Sequence, residues 1–310
     1  MKKILLVFSL LLSSIGLFAQ VSIADTTYYV LVSYSGNSAT VEMTDDVKSY
    51  VTASVNGADV TITSTASAAI NEITYGLTGS TTDGSFTMVG TYKATMELFG
   101  ITITNPTGPA IDIQNGKRIE ISAKSGTTST LKDGTSTATD AWKGALQCKG
   151  HIQFKGKGTL NVYGNYNHAI RAGEYIEMKN CTINVYSAVK DAINCNQYFL
   201  MESGEINLSG FGDDGIQVSK ETNDTSAENT GNFTMNGGII NINMYGATGE
   251  SVKAEGTKSV ASAASLNVYS TQSVDQVPSD QVQSTKVIRD GQVVIERGEK
   301  KYNMLGAEIK

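Results

Sequence analysis

Three short stretches decide the fold: Thr159-Leu-Asn-Val162, Thr182-Ile-Asn-Val185 and Glu205-Ile-Asn-Leu208. Each one begins 23 residues after the one before it. Within each stretch, aliphatic side chains alternate with polar ones, which is the period of a strand with one buried and one exposed face. A strand that recurs at a fixed interval is typical of a repeat architecture.

Two further sets of strands recur in step with the first. The first set consists of Gly144-Ala-Leu-Gln-Cys148, His168-Ala-Ile-Arg-Ala172, Asp191-Ala-Ile-Asn-Cys195 and Asp214-Gly-Ile-Gln-Val218. The second set consists of the apolar pairs Ile152/Phe154, Ile176/Met178, Phe199/Met201 and Phe233/Met235. Three short strands therefore follow one another, in a fixed order, within each repeat.

A repeat of this length has a simple geometric meaning. At about 3.3 Å per residue, the repeat traces roughly 75 Å, which closes one three-sided coil of a parallel β-helix with about 4.8 Å between coils. No apolar stripe is long enough for crossover helices, and an antiparallel sandwich would not keep three strand sets in register. We therefore predict an all-β solenoid with three short strands per coil and a small C-terminal β tail.

The first residues of the chain have the pattern of an export signal. Residues 1–19 combine Lys2 and Lys3, a short apolar run and small residues up to Ala19. No later segment is apolar and long enough to predict a membrane span. The protein is therefore expected to be secreted or displayed at the cell surface, with the periplasm as an alternative destination.

The rest of the chain divides by composition. Residues 20–64 contain loosely spaced strand patterns and are predicted to form an N-terminal β cap. Residues 65–270 form the predicted β-helix, and the Ser-, Gln- and Asp-rich residues 271–285 form a linker. Residues 286–310 alternate in short runs that predict a β tail. This tail resembles C-terminal segments that sort or attach secreted Bacteroidetes-type proteins, which implies attachment to the cell envelope; a stabilising end-cap is the alternative.

The composition excludes several classes of function. The net charge is −6, and it becomes −8 once Lys2 and Lys3 leave with the signal peptide. A chain this acidic lacks the basic surface that nucleic-acid binding requires, so no nucleic-acid partner is expected. Two histidines and three cysteines leave little material for zinc or thiol chemistry.

Stacking of the repeats would gather carboxylates on one edge. The predicted members are Asp191, Asp213, Asp214 and, beyond an insertion, Glu250. Like charges at such spacing repel by an amount on the order of a kcal/mol, so something should offset them. Ca²⁺ suits carboxylates with carbonyl and amide oxygens nearby. A solvated strip of ion pairs formed by Lys190 or Arg171 is the alternative.

A second predicted surface combines amides with aromatic rings. Asn161, Asn184 and Asn207 should form an outward column beside Tyr163 and Tyr186. Flat rings beside amide donors and acceptors suit the apolar faces and hydroxyls of a sugar polymer. A solvated sheet surface of good β-formers is the alternative. Trp142, the only tryptophan, is a further candidate sugar platform.

These motifs together resemble a known family. The matching runs lie in residues 86–105, 111–120, 154–160 and 212–217, and the pattern covers roughly residues 60–270. The chain is similar to secreted carbohydrate-binding β-helix proteins, whose fold is shared with pectate lyases. The resemblance implies a right-handed parallel β-helix that binds polysaccharide, acidic or plant-derived, with bound calcium. Gly144 and His168 stand where that family would place acidic residues.

Three functions are compatible with this sequence. We favour a non-catalytic protein that binds polysaccharide with the help of calcium. The alternative is a calcium-dependent lyase of uronate polymers, in which Arg171 or Lys190 would act as the base. A structural or adhesion protein of the cell surface is the third. The scarcity of arginine in the predicted coils, which contain only Arg118 and Arg171, favours binding over catalysis.

Overall fold

The computed structural model describes residue 23, residues 26–136 and 142–270, and in the tail residues 284–289, 292–297, 300–302 and 308–309. The predicted signal peptide, residues 1–19, lies outside the described residues, as does nearly all of the predicted linker, residues 271–285. The chain forms two compact units, Met1–Tyr269 and Ser270–Lys310.

The described residues form β-strands and no helix, and so none of them forms an apolar helix long enough to cross a membrane. The strands are β1 (Tyr29–Ser35), β2 (Ser38–Met43), β3 (Val51–Asn56), β4 (Asp59–Ser64), β5 (Ile73–Thr81), β6 (Ser85–Val89), β7 (Ala94–Asn105), β8 (Ile111–Gln114), β9 (Ile119–Ala123), β10 (Thr128–Asp133), β11 (Gly144–Cys148), β12 (Ile152–Gly156), β13 (Thr159–Gly164), β14 (His168–Ala172), β15 (Ile176–Met178), β16 (Thr182–Ala188), β17 (Ile193–Asn196), β18 (Tyr198–Met201), β19 (Glu205–Leu208), β20 (Ile216–Ser219), β21 (Asn232–Met235), β22 (Gly238–Asn243), β23 (Val252–Ala254), β24 (Lys258–Val260), β25 (Ala264–Tyr269), β26 (Ser284–Arg289), β27 (Gln292–Arg297), β28 (Lys300–Tyr302) and β29 (Glu308–Ile309).

From β8 to β22 each strand pairs in parallel with the strand three places later, which produces three lines. Line A is β6-β8-β11-β14-β17-β20-β23, line B is β9-β12-β15-β18-β21-β24, and line C is β10-β13-β16-β19-β22-β25. The long strand β7 pairs with β9 at one end and with β10 at the other, so that it begins both lines B and C. The prediction of an all-β fold built from parallel strands is confirmed.

The three lines keep equivalent positions in register, except at a bulge in β16, where Tyr163 pairs with Ser187. Asn184 pairs with Asn161 on one side and with Asn207 on the other. Within β16 the side chains of Ile183 and Val185 are buried, and Asn184 between them is partly exposed. Alternation along lines B and C therefore separates the apolar core from an outward polar face. Line A instead buries consecutive residues, such as Ala169 and Ile170 of β14.

The N-terminal residues extend the two parallel sheets. β1 pairs in parallel with β5, and β4 pairs in parallel with β6. β2 and β3 are then added antiparallel, β2 to β1 and β3 to β4. Each sheet therefore begins with an antiparallel hairpin strand. The second unit is a four-stranded antiparallel sheet in the order β26-β27-β28-β29.

A buried acid at the end of β10 makes the stability dependent on pH. Asp133 Oδ1 accepts a hydrogen bond of 2.5 Å from the backbone N–H of Asn165. Burial nevertheless dominates and raises the pKa of Asp133 to about 6. Between its ordinary pKa and this one, the folded protein holds a proton that the unfolded chain has released, so stability falls as pH rises through that window.

We expect Asp133→Asn to remove this loss. As pH rises from 4 to 7, the titration of Asp133 should lower the free energy of unfolding of the wild-type protein by up to about 3 kcal/mol. The variant has no carboxyl group at this position and should not show this decrease. Urea unfolding at several pH values measures the difference. Parallel pH curves for the two proteins would show that Asp133 titrates normally in the folded state.

Candidate functional site

Five asparagines form a continuous row along the outward face of line C, which we call the asparagine row. From the second member on, each side-chain amide donates to the carbonyl of the preceding asparagine, with N–O distances of 2.8–2.9 Å. The members are Asn161, Asn184, Asn207, Asn241 and Asn267.

The row leaves hydrogen-bonding capacity unused. A side-chain amide has two N–H donors and a carbonyl with two lone pairs. The bonds within the row use one donor and one lone pair of each interior member, and one further donor of Asn207 reaches Glu205. The remaining groups on the partly exposed amides face outward. Successive members lie about 4.8 Å apart, the spacing of paired strands.

Tyrosines flank this row and complete a cleft. Tyr163 and Tyr186 stack with ring centroids 5.1 Å apart and planes inclined by 23°. Beyond Tyr186 the same side of line C carries Ser209 and Asn243, and then Tyr269. Small and polar side chains therefore separate two exposed rings. The resulting cleft has a volume of about 350 Å³ and is lined by Asn184, Tyr186, Asn207, Ser209, Asn241, Asn243 and Tyr269; we call it the asparagine–tyrosine cleft.

The structure does not bring all the predicted sugar-binding residues together. Asn161, Tyr163, Asn184, Tyr186 and Asn207 share the face of line C. Trp142 lies elsewhere, before β11 of line A. Its ring packs on Gly108, where a Cβ would stand 2.7 Å from the ring, and it lines a separate cleft.

The predicted acidic edge places three aspartates together. Asp191, Asp213 and Asp214 each bring one carboxylate oxygen within 4.8 Å of the others. Asp191 is buried, and its two oxygens accept from the backbone N–H of Asp214 at 3.1 Å and from the side chain of Asn194 at 2.6 Å. The Nδ1 atom of His168 lies 3.3 Å from Asp191 Oδ2. Burial raises the pKa of Asp191, but the bonds from His168 and Asn194 outweigh it and hold the pKa below its ordinary value.

Asp214 repeats this arrangement one repeat later. Its Oδ1 accepts from the backbone N–H of Glu250 at 2.7 Å, and its Oδ2 lies 3.1 Å from Lys253 Nζ. The Glu250 carboxylate turns away to Lys258, at 3.0 Å. Glu250 therefore contributes its backbone to the edge, and its carboxylate lies outside the group of three.

The donor set of the edge fits a hard cation in spacing and chemistry. Calcium binds oxygens at about 2.3–2.6 Å, so oxygens within about 5 Å of one another can share one ion. Gly249 also places no side chain over the edge. A Cβ on Gly249 would stand 2.6 Å from Asp213 Oδ1 and 2.2 Å from Asp214 Oδ1. Asp213 itself makes no side-chain hydrogen bond or ion pair with any described residue.

Neither of the predicted basic partners neutralises this edge. Among the ion pairs of the described residues none involves Lys190 or Arg171; Lys253 and His168 lie at the carboxylates instead. Lys190 is exposed. Arg171 lies on line A with its Nη1 atom buried and without a hydrogen-bond partner in the described chain. Burial lowers the pKa of Arg171.

The sequence analysis did not predict an aromatic column that lies where successive strands of line B begin. His151, Tyr175 and Tyr198 stack with centroid separations of 4.1 Å and 4.4 Å. His151 Nδ1 lies 2.6 Å from Glu174 Oε2. The signal was present, because these residues stand just before Ile152, Ile176 and Phe199 at intervals of 24 and 23 residues.

The strand pairing places the chain in the class of all-β proteins with stacked parallel strands. The chain belongs to the family of carbohydrate-binding domain-containing proteins, whose family model matches residues 56–307. Its fold is similar to that of a polysaccharide lyase-like protein from C. thermocellum, solved as a gadolinium derivative. That similarity has a TM-score of 0.62 and 19% identity over 77% of this chain and 99% of that one. No curated protein sequence matches the chain.

Proposed function

We propose that this protein is an exported, non-catalytic protein that binds a polysaccharide in the asparagine–tyrosine cleft. The three lines of paired strands support a right-handed parallel β-helix with three strands per coil. Residues 1–19 would direct export to the medium or the cell surface. Residues 286–310 would attach the protein to the cell envelope.

One observation carries the proposal: free amide groups and two exposed rings converge on the same cleft. Tyr186 and Tyr269 are 46% and 56% exposed, so both rings are available to contact the apolar face of a sugar. The free donors and acceptors of the asparagine row suit sugar hydroxyls. The volume of the cleft lies near the lower end for small-molecule sites, which fits a short stretch of a glycan chain.

Tyr186→Ala is expected to weaken retention of the protein on polysaccharide by about tenfold, since an aromatic contact of this kind contributes about 1.5 kcal/mol. Pull-down on insoluble cellulose, xylan and calcium-gelled polygalacturonate measures the effect. Tyr245→Ala is the matched control, because Tyr245 is exposed but does not line the cleft. Equal retention of both variants would place the binding site elsewhere.

We also propose that the acidic edge binds calcium. Asp191, Asp213 and Asp214 would hold the ion through one carboxylate oxygen each. The ion would neutralise the edge and provide a Lewis-acidic site for an acidic sugar. The Lys253 ammonium would leave Asp214 when the ion binds, because the two cations compete for one carboxylate.

Calcium should therefore raise the melting temperature of the wild-type protein by mass action. Asp213→Asn is expected to abolish that shift without changing the melting temperature in chelator, since its carboxylate makes no hydrogen bond or ion pair with the described residues. Lys253→Gln should strengthen calcium binding because it removes the competing cation. An unchanged calcium response in Asp213→Asn would exclude the edge as the site.

A test for catalysis separates binding from the lyase alternative. Purified protein is mixed with polygalacturonate and calcium, and the absorbance of an unsaturated product is followed. We expect retention on the polymer without product. Calcium-dependent product that disappears in Arg171→Gln or Lys190→Gln would establish the lyase. Cell-surface display without binding to any glycan on an array would favour a structural or adhesion role.

A further inference from the structure

A second groove, which shares no lining residue with the asparagine–tyrosine cleft, runs across line A towards the residues that precede the strands of line B. It consists of two adjoining clefts of about 770 Å³ and 520 Å³. Both are lined by Lys149, Arg171 and Gly173, so these residues mark the junction. A groove of this size is comparable with known ligand sites.

The larger cleft is acidic and is built by an insertion. Residues 220–231 lengthen one repeat and bring Glu221, Asp224 and Glu228 opposite Glu174. The insertion is held in place by its own bonds: the Asn229 side chain donates to two carbonyl oxygens within it, at 2.6 Å and 2.8 Å. Its position is therefore set by the fold.

Part of this acidity is left unneutralised. Glu174 faces His151, Glu221 accepts from the Asn196 side chain, and Asp224 accepts from Gln197 at 2.8 Å. The Glu228 carboxylate makes no hydrogen bond or ion pair within the described part of the chain. Apart from Lys149 and Arg171 at the junction, no lysine or arginine lines this cleft.

The smaller cleft has the opposite charge. Lys143, Lys149 and Arg171 line it together with a single acid, Asp112. Both oxygens of Asp112 are already engaged, by Gln114 and Gln147 at 2.8 Å. The ring of Trp142 forms one wall. This half therefore presents excess positive charge beside an aromatic surface.

Arg171 stands unpaired where the two halves meet. Its guanidinium has five N–H donors, yet it makes no hydrogen bond or ion pair with any residue that the structure describes, and its Nη1 atom is buried. Burial lowers the pKa of Arg171, and the carboxylates of Glu221 and Asp191 raise it in part from a distance, but neither bonds to it. A partly desolvated guanidinium whose hydrogen bonds are unmade is costly. An anionic ligand group at this junction would supply the missing partner.

We propose that this groove binds a zwitterionic glycan, one in which uronate carboxylates and free amino groups occur in the same chain. Carboxylates would lie in the basic half against Arg171 and Lys149, and an ammonium would lie in the acidic half against Glu228 and Glu221. A purely anionic glycan would be repelled by one half, and a purely cationic one by the other. The inference rests on the proposed binding of glycans but uses a different surface.

The test compares three oligosaccharides of equal length by calorimetry at low salt: glucuronate–glucosamine repeats with free amines, the same repeats N-acetylated, and glucosamine oligomers without carboxylates. We expect the free-amine repeats to bind about ten- to a hundredfold more tightly than either of the others, the range that charged hydrogen bonds supply. Equal binding of the free-amine and N-acetylated repeats would overturn the proposal.

Variants assign the site and separate this proposal from the previous one. Glu228→Gln should remove the preference for the free amine, and it should not disturb the fold because its carboxylate is unpartnered. Arg171→Gln should weaken binding of the free-amine and N-acetylated repeats alike, and Tyr186→Ala should change neither. If Tyr186→Ala loses the preference for the free-amine repeats and Glu228→Gln keeps it, these repeats bind in the asparagine–tyrosine cleft, and the proposed groove site is wrong. Failure of Tyr186→Ala to affect polysaccharide retention would instead count only against the proposed function.

Discussion

Phe199→Ala is expected to lower the free energy of unfolding by about 3–5 kcal/mol, the usual cost of removing a buried aromatic ring. Phe199 is fully buried on β18, and its ring stacks on that of Phe233 of the next repeat at 5.3 Å and 12°. Truncation leaves a cavity between two repeats that are both held by parallel strand pairing. The surrounding backbone cannot close that cavity without breaking register.

Urea unfolding, followed by circular dichroism, measures this loss. Because each repeat contacts mainly its neighbours, we expect the transition to broaden as repeats on the C-terminal side of Phe199 separate early. Phe199→Leu should cost only about 1–2 kcal/mol, since most of the apolar volume remains. A loss in Phe199→Ala no larger than that in Phe199→Leu would contradict tight packing between these repeats.

Asp191→Ala should destabilise the protein by about 2–5 kcal/mol, although it removes a charge from a crowded acidic edge. Its carboxylate satisfies two buried donors, the backbone N–H of Asp214 and the side chain of Asn194. Leaving a buried donor unpaired costs about 1–3 kcal/mol. The lost bonds therefore outweigh the relief of repulsion, which is on the order of a kcal/mol.

Asp213→Ala is the matched control, because this carboxylate belongs to the same edge but bonds to none of the described residues. Its effect should stay within about 0.5 kcal/mol. Both variants are unfolded in chelator so that loss of a bound ion does not contribute. Since the pKa of Asp191 is lowered in the fold, its stabilising contribution is present above the ordinary pKa of aspartate and is lost as pH falls through the lowered value. Equal destabilisation by the two substitutions would refute the structural role of Asp191.

The repeat interval was enough to predict which strands pair. Strands 23 residues apart with the same alternation can bury their aliphatic residues only in one register, so the alignment of Asn161, Asn184 and Asn207 could be predicted. The N-terminal hairpins could not, because β1 to β4 have no repeat partner to fix their register. Their pairing depends on the sheet edges that they extend.

The candidate site was predictable only where it followed the repeat. The Asp191–Asp214 edge lies on equivalent positions, but the Glu250 carboxylate turns to Lys258 because an insertion breaks the interval before it. Trp142 lies outside the recurring strand motifs, and the repeat therefore gave no information about its neighbours. The groove around Arg171 depends on contacts between an inserted loop and two strand lines, which no local pattern encodes.

The asparagine row has a direction. Every side-chain amide after that of Asn161 donates to the preceding member, so the dipoles add along the row, and its two ends differ. Asn161 retains both of its N–H groups, and Asn267 retains an unshared carbonyl. A sugar polymer also has two unlike ends. The two orientations of a sugar polymer along this row would therefore differ in binding energy, so the row would favour one orientation of the chain.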